Sequence, residues 1–408
     1  MAAANDDNAW GTGLVDEESQ DPEELRVIYA ALDSFSQYAK VAHFNVTHLR
    51  RQSFYALPEA HWKMLAAPPF NFLETLEKTD DAIDSNAALA RAIVNASLQN
   101  FGLSSIPPEW AGTAKHSDID KARSTIRQFY RDWSLDGASE REASYGPVLK
   151  ALGEERANRS TGGNGPLRVL VPGAGLGRLV FDLCAGGFEA EGNEISYHQL
   201  LASQYVLNNC RSAGEHTIFP WVHTFSNHLT RLNHLRSYPV PDIHPGTVLK
   251  SLPAVGGMSM CAADFLCGYS KEECLESFDA VASVFFLDTA PNLVRYLEVI
   301  WNCLKPGGVL INIGPLLWHF ENNAPGNHGR DDDGDGEHDY NNSSGIADPG
   351  SFELSEDEVI ALLGKLGFKV EWKQSGLETP YIQDRESMLQ TTYKSSIWVA
   401  RKPARETN

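Results

Sequence analysis

From Val169 the chain reads VLVPGAGLGRLVFDL. A run of branched apolar residues stops in a turn carrying Gly173, Gly175 and Gly177, and apolar residues then return at helical spacing. A strand that runs through glycines straight into a helix is the opening unit of a parallel sheet, because parallel neighbours need a crossover connection. The turn also has to hold something. Glycine at these positions lets a ligand approach the backbone closely, and three occupants compete: the pyrophosphate of a dinucleotide, a nucleotide triphosphate, and the amino-acid end of a methyl donor.

The alternation continues along the chain. A strand at 167–171 leads to a helix at 176–185, a second strand at 189–194 to a helix SYHQLLASQYVLNNC, and further strands fall at 258–263, 278–287 and 309–314. The helix PNLVRYLEVIWNCLK lies between the last two. LSEDEVIALLGKLGF is a helix again, but KVEWKQSG and YKSSIWVARK follow with no helix between them, so an antiparallel pair closes the sheet. The expected fold class is α/β, a doubly wound seven-stranded sheet.

Before this sheet, residues 22–102 are rich in Ala, Leu, Glu and aromatics at spacings of three and four, which predicts a helical amino-terminal region. A further helix starts near Ser117, with Asp120 completing its cap, and runs through SDIDKARSTIRQFYRDW. Ile119, Ala122, Ile126, Phe129 and Trp133 form its apolar stripe, while Gln128 and Arg131 lie together on the far side, where pattern alone turns them to water. The expected divisions are a helical region 1–115, a helix and linker 116–165, and the sheet domain 166–402. Residues 322–351 form an insertion too polar and glycine-rich to order itself. Inside it Asp331, Asp333, Asp335 and Gly336 imitate a calcium loop, but Asn342 stands where a bidentate Glu is required, so no metal is expected there.

Composition narrows the partners. With 408 residues, 42% hydrophobic and a formal net charge of -20, the chain has a large core and no electrostatic footprint for nucleic acid. No leader-like start and no membrane-length apolar stretch are present, so a cytoplasmic or nuclear location is expected, without a membrane partner. Six cysteines without a CxxC pair read as reduced core thiols rather than metal ligands.

Two of the three occupants now fall away. A phosphate-gripping loop needs a Lys after its last glycine, and Arg178 stands where the third dinucleotide glycine is required. Glu194, 21 residues after Gly173, ends the second strand, where an acid can accept from both ribose hydroxyls. Asp264 and Phe265 end the third strand, offering an acceptor and an apolar face to adenine. With FFLDT after the fourth strand and LKPGG before the fifth, the set points to S-adenosylmethionine as cofactor and to a methyltransferase.

The segments QFYRDWS, SYGPVLKAL, LVPGAGLGRL, GNEISYHQL, PWVHTFSN, FFLDTA and LKPGGVLINIGPLLWHFEN, with a closing Tyr before VARK, resemble the carnosine N-methyltransferase family over roughly residues 116–402. The resemblance implies a Rossmann-like methyltransferase sheet with an α-helical amino-terminal domain. It turns Gln128 and Arg131 from solvent to the methyl donor and makes their helix a lid. It assigns Gly173, and with it Gly175, to the donor's amino-acid end, Glu194 to the ribose, Asp264 and Phe265 to the adenine, and Val284 to a backbone contact.

On the acceptor side it implies Asp288 and His319 as catalytic and substrate-binding residues, with Tyr381 and Tyr393 as further substrate contacts. Asp288 stands where ligands gather in such sheets and can fix an imidazole tautomer. The implied reaction methylates a ring nitrogen of carnosine, giving anserine, or of another small histidine-containing peptide; a homodimer is the one assembly expected. Two alternatives stay open at this stage: a protein-histidine methyltransferase on the same fold, and a methyltransferase-like binding module without catalysis.

Overall fold

The computed structural model describes residues 22–104, 110–159, 165–323 and 350–405. The calcium-loop imitation and nearly all of the polar insertion lie outside them.

Among the described residues there are nine strands: β1 (Arg168–Pro172), β2 (Glu189–Glu194), β3 (His216–Ile218), β4 (Tyr238–Val240), β5 (Met258–Ala262), β6 (Phe278–Val284), β7 (Leu304–Gly314), β8 (Lys369–Pro380) and β9 (Thr392–Arg401). Seven form one sheet in the order β5-β2-β1-β6-β7-β9-β8. β5, β2, β1, β6 and β7 pair in parallel, and β9 runs antiparallel between β7 and β8. The expected fold class and its antiparallel closing pair are therefore both present. The order reverses beside β1, so the connections that leave the paired strands β1 and β6 run to opposite sides and leave a crevice at the carboxyl ends, where ligands bind in open α/β sheets.

Three local departures have physical causes. β6 stops at Val284 rather than 287 because Phe285 turns to φ 51°, a left-handed conformation that no strand continues. LKPGG belongs to β7 as a bulge: the register jumps between Phe278↔Leu304 and Ala280↔Val309, with Gly307 at φ 81°. The β3–β4 hairpin was not legible because each strand has three residues and β4 contains Pro239.

The helical region docks on the sheet domain through a shared core rather than through a linker. Helix Pro22–Ala42 packs on Phe72–Asn100 and on His116–Trp133. Its Ser34 hydroxyl meets His198 at 3.1 Å on the helix that follows β2. Asn86 brackets the peptide of Phe219, accepting from its N–H at 2.7 Å and donating to its carbonyl at 3.1 Å.

Helix His116–Trp133 begins one residue before Ser117. Its cap is made by Asp118, which accepts from the Lys115 N–H at 3.0 Å, and not by Ser117 with Asp120. The predicted stripe is buried at Ala122, Ile126, Phe129 and Trp133, yet Gln128 is buried as well. The face opposite the stripe is therefore covered at Gln128, although Lys121 and Ser124 on it are exposed. Among the described residues no helix is long and apolar enough to cross a membrane.

Candidate functional site

Gly173, Gly175 and Gly177 all adopt positive φ, at 66°, 58° and 73°. A Cβ on Gly173 would stand 2.8 Å from the Phe286 ring, and one on Gly175 2.8 Å from Nε2 of Gln128. Glycine is required here by conformation and by space. The Gly175 N–H donates to Oε2 of Glu194 at 2.9 Å, while Oε1 accepts from the N–H groups of Ile195 and Ser196, both at 2.9 Å. Burial pushes the Glu194 carboxyl above the ordinary range, and these three backbone donors pull against it. Glu194 is thus the post that holds the turn.

Helix His116–Trp133 packs beside this turn. Trp133, fully buried, donates from Nε1 to the Leu176 carbonyl at 3.0 Å, fastening the helix end to the glycine segment. Next to it Asp132, 1% exposed, collects four hydrogen bonds: from Gln128 Nε2 at 3.1 Å, from Arg131 Nε and Nη2 at 2.7 and 3.0 Å, and from the Tyr145 hydroxyl at 2.9 Å. Burial works against the Arg131 charge, but Asp132 outweighs it and holds the guanidinium well above its usual range. Asp132 and Tyr145 were not anticipated, although Asp132 lies within QFYRDW. A side chain that organises two neighbours on its own helix has no sequence signature separate from theirs.

Arg131, Tyr145, Pro172, Gly173, Val284 and Phe285 line a small cavity of about 30 Å³ at the carboxyl ends of β1 and β6. The structure therefore brings three predicted donor contacts, Arg131, Gly173 and Val284, to one cavity, while Gln128 lies against Gly175, which Glu194 holds. The adenine pair is placed differently. Asp264 accepts through Oδ1 from the N–H groups of Leu266 and Cys267 at 2.8 and 3.1 Å, capping helix Phe265–Tyr269. Phe265 is 4% exposed, with its ring centroid 5.3 Å from those of Phe286 and Tyr296. Its position at the strand end agrees with the expectation, but its ring is turned into the core.

Of the expected acceptor residues, Asp288 follows β6 and His319 follows β7. Asp288 is 4% exposed, and its Oδ2 accepts from the Leu317 N–H at 3.0 Å. Burial raises its carboxyl above the ordinary value, against that hydrogen bond and the proximity of His319. The His319 N–H donates to the Asp288 carbonyl at 3.1 Å, so the two residues are tied through the backbone while the His319 side chain is exposed.

Tyr381 and Tyr393 lie 5.9 Å apart between ring centroids, and Phe285 sits 5.4 and 6.0 Å from them. The Arg131 guanidinium stands 5.4 Å over the Tyr381 ring, joining this aromatic wall to helix His116–Trp133. Burial raises the Tyr393 hydroxyl, with Tyr381 and Asp288 adding to the shift. Glu140 positions the wall from behind: its carboxylate accepts from the N–H groups of Ile382 and Gln383 at 2.7 and 3.1 Å. Neither Glu140 nor Phe285 was foreseen. Glu140 acts across 242 residues of chain, and the left-handed turn at a Phe has no compositional signal.

A family model described as carnosine N-methyltransferase matches residues 108–404. A carnosine N-methyltransferase of Schizosaccharomyces pombe is 36% identical over 385 residues, covering 93% of this chain and 97% of its own. Another, of Mus musculus, is 34% identical over 393 residues, covering 95% of this chain and 88% of its own. Among solved structures, an S-adenosylmethionine-dependent methyltransferase from Methanosarcina mazei overlays with a TM-score of 0.35 at 15% identity, covering 59% of this chain and 95% of its own.

Proposed function

Because this chain belongs to the carnosine N-methyltransferase family, we propose that it methylates an imidazole ring nitrogen of a small histidine-containing peptide, carnosine giving anserine, with S-adenosylmethionine as donor. The observation that supports the reading is one continuous run of contacts: Gly173, Arg131 and Phe285 line one cavity, Arg131 stands over Tyr381, Phe285 packs on Tyr381 and Tyr393, and Asp288 acts on the Tyr393 hydroxyl.

The residues present fit the donor. The turn is a cradle that Cβ atoms would fill at Gly173 and Gly175. Arg131 uses Nε and Nη2 on Asp132, and a guanidinium has five N–H donors, so its remaining donors suit the donor's carboxylate. Glu194 lies at the β2 end for the ribose, with Val284 and Asp264 at the neighbouring strand ends. S-adenosylmethionine supplies a sulfonium-bound methyl carbon open to in-line attack by a lone pair.

What the chain must do is present a neutral ring nitrogen in line. Neutral imidazole carries one N–H and one lone pair, and the nitrogen that donates a hydrogen bond is the one that does not attack. The Asp288 carboxylate, as acceptor, selects that nitrogen and orients the ring. As the ring becomes cationic the same carboxylate stabilises it, and a carboxyl raised by burial is a competent acceptor for the N–H proton afterwards. Phe285, Tyr381 and Tyr393 wall the ring against water, which strengthens that charge interaction. His319 is next to Asp288 to engage the peptide outside the ring.

The test is incubation with labelled S-adenosylmethionine and carnosine, followed by fragmentation of the product. Label on the imidazole ring is the expected result. Label entering only histidines of polypeptides sinks the small-peptide reading and leaves the protein-histidine alternative.

A further inference from the structure

The last four carbonyls of an α-helix have no partner within it and must find one elsewhere. In helix His116–Trp133 all four are taken. The Tyr130 carbonyl accepts from the hydroxyl of Ser134, the next residue after the helix, at 2.5 Å. The other three turn to separate segments: the Arg131 carbonyl accepts from Arg141 Nη1 at 2.7 Å, that of Asp132 from Arg178 Nη1 at 3.1 Å, and that of Trp133 from the Asp242 N–H at 2.8 Å. Arg141 Nη1 also donates to the Ser134 carbonyl at 2.8 Å.

One carboxylate joins these partners. Asp242 accepts through Oδ1 from Arg178 Nη1 at 2.8 Å and through Oδ2 from Arg141 Nη2 at 2.9 Å. The side chains of Arg141, Arg178 and Asp242 are 8%, 10% and 6% exposed, so the cluster is dry enough for its charges to hold geometry. Asp182 takes Arg178 Nε at 3.0 Å, and two guanidinium groups are thereby balanced by two carboxylates. Burial works against the Arg178 charge, but Asp182 and Asp242 outweigh it and hold the guanidinium above its ordinary range. The carbonyl end of a helix is its negative pole, which favours arginines there.

Each arm of this clasp comes from a different element. Arg141 is on helix Ala138–Arg159, Asp242 follows β4, and Arg178 opens helix Arg178–Ala185 directly after Gly177. Arg178 is the residue that stands in place of the third dinucleotide glycine. Its guanidinium lies 5.1 Å over the Trp133 ring, whose Nε1 is the donor to the Leu176 carbonyl. Trp133 reaches into the glycine turn, and Arg178 reaches out of it.

What the clasp fixes is the backbone of Arg131 and Asp132. Arg131 lines one cavity with Gly173, and Asp132 holds its guanidinium by the fork. The fork orients the charge only relative to the helix end. Its position relative to Gly173 depends on how the helix end is fastened to the turn, and a misplacement of about 1 Å is costly at such sites.

We propose that Asp242, acting through Arg141 and Arg178, is a positioning residue that sets Arg131 against the glycine turn for the carboxylate of the methyl donor; this rests on the donor reading above. The coupling is reciprocal. Donor binding tightens the clasp by the same factor by which the clasp strengthens donor binding.

The test measures S-adenosylmethionine binding by calorimetry in wild type, Asp242→Asn, Arg131→Lys and the double variant. Asp242→Asn is expected to raise the donor Kd by about tenfold in the wild-type background and by less than about twofold once Arg131 is Lys, because residues that act as one unit are not additive. In turnover the donor KM is expected to rise likewise, with the acceptor KM within about threefold. A tenfold loss in both backgrounds, or an unaltered donor Kd in Asp242→Asn, overturns the assignment. Arg178→Lys keeps a charge but loses the fork, and it carries the same cycle if Asp242→Asn does not fold. Wild type gives a check that depends on no variant: S-adenosylmethionine is expected to slow amide exchange at Asp242 about tenfold or more beyond any slowing in helix Glu356–Lys365. Equal slowing at the two places overturns the coupling. If wild type binds no S-adenosylmethionine the donor reading itself has failed, an outcome distinct from binding that is insensitive to Asp242.

Discussion

Arg131 forks onto the carboxylate of Asp132, its neighbour in sequence, through Nε at 2.7 Å and Nη2 at 3.0 Å. The pair is buried, with side-chain exposures of 13% and 2%, so the guanidinium reaches the crevice already oriented. Asp132→Asn removes the charge that compensates it and leaves a buried cation, a change that costs about 3 kcal/mol or more. Urea unfolding is expected to show that loss together with weakened donor binding. Arg131→Lys keeps a charge but loses the fork. It is expected to fold with a smaller loss of stability and to bind donor at least about tenfold more weakly by calorimetry. Equal donor affinity in Arg131→Lys and wild type would remove Arg131 from the donor site.

Gly175 tests the glycine turn separately. Alanine there must hold φ near 58° and place its Cβ 2.8 Å from Gln128 Nε2. The side-chain amide can retreat, but only by leaving the turn it closes. Gly175→Ala is expected to cost about 1–2 kcal/mol for the left-handed residue and to raise the donor Kd by about tenfold or more. Gly153, inside a helix with open space where a Cβ would go, is the control. Gly153→Ala is expected to stabilise by about 0.4–1 kcal/mol and to leave the Kd unchanged.

Asp288 predicts a pH signature in stability. Its folded pKa is raised by burial, so its contribution is fully present below the unfolded value of about 3.9 and is lost as pH rises through the folded value. Asn at this position has no such dependence. Across urea titrations from about pH 3.5 to 7, the stability difference between wild type and Asp288→Asn is expected to move in the variant's favour as pH rises. A difference that moves the other way would place an unrecognised cation against Asp288. Turnover is expected to fall in the variant by about 100-fold or more, the scale of a lost general base.

The sheet and its glycine turn were legible in the sequence, and the division between what was and was not legible follows physics. The β1 turn, Glu194 and the closing antiparallel pair were legible because backbone period and glycine placement are local properties. Gln128 shows the limit of a periodic argument: the helix pattern turned it to solvent, and only the likeness to a family turned it inward, where it is buried against Gly175. Phe265 shows the limit of likeness, since its place at a strand end follows from sequence while the direction of its ring depends on Phe286 and Tyr296. Glu140, Asp132 and Asp242 depend on contacts between distant segments. Nothing in their immediate neighbours encodes them.

Phe285 carries the sharpest separation of stability from function. It is the residue after β6, at φ 51°, with its N–H donating to the Ile313 carbonyl at 2.9 Å. A bulky residue in that conformation costs about 1–2 kcal/mol relative to glycine, and it is held there because its half-buried ring packs against Tyr381 and Tyr393. Phe285→Gly gains the conformational term and loses the packing term, two effects of similar size and opposite sign, so unfolding free energy is expected to change by no more than about 1 kcal/mol. The acceptor wall, however, loses its central ring. Tyr381 and Tyr393 keep their own contact but lose the ring that packs against both, and kcat/KM for the acceptor is expected to fall by about tenfold or more while donor Kd stays within about threefold. Gly314→Ala strains the same spot from the facing strand, because its Cβ would stand 3.3 Å from the Phe285 N and Cα, backbone atoms that cannot step aside as a side chain can. If Phe285→Gly is as active as wild type, the left-handed turn serves only the strand end, and the wall rests on the two tyrosines alone.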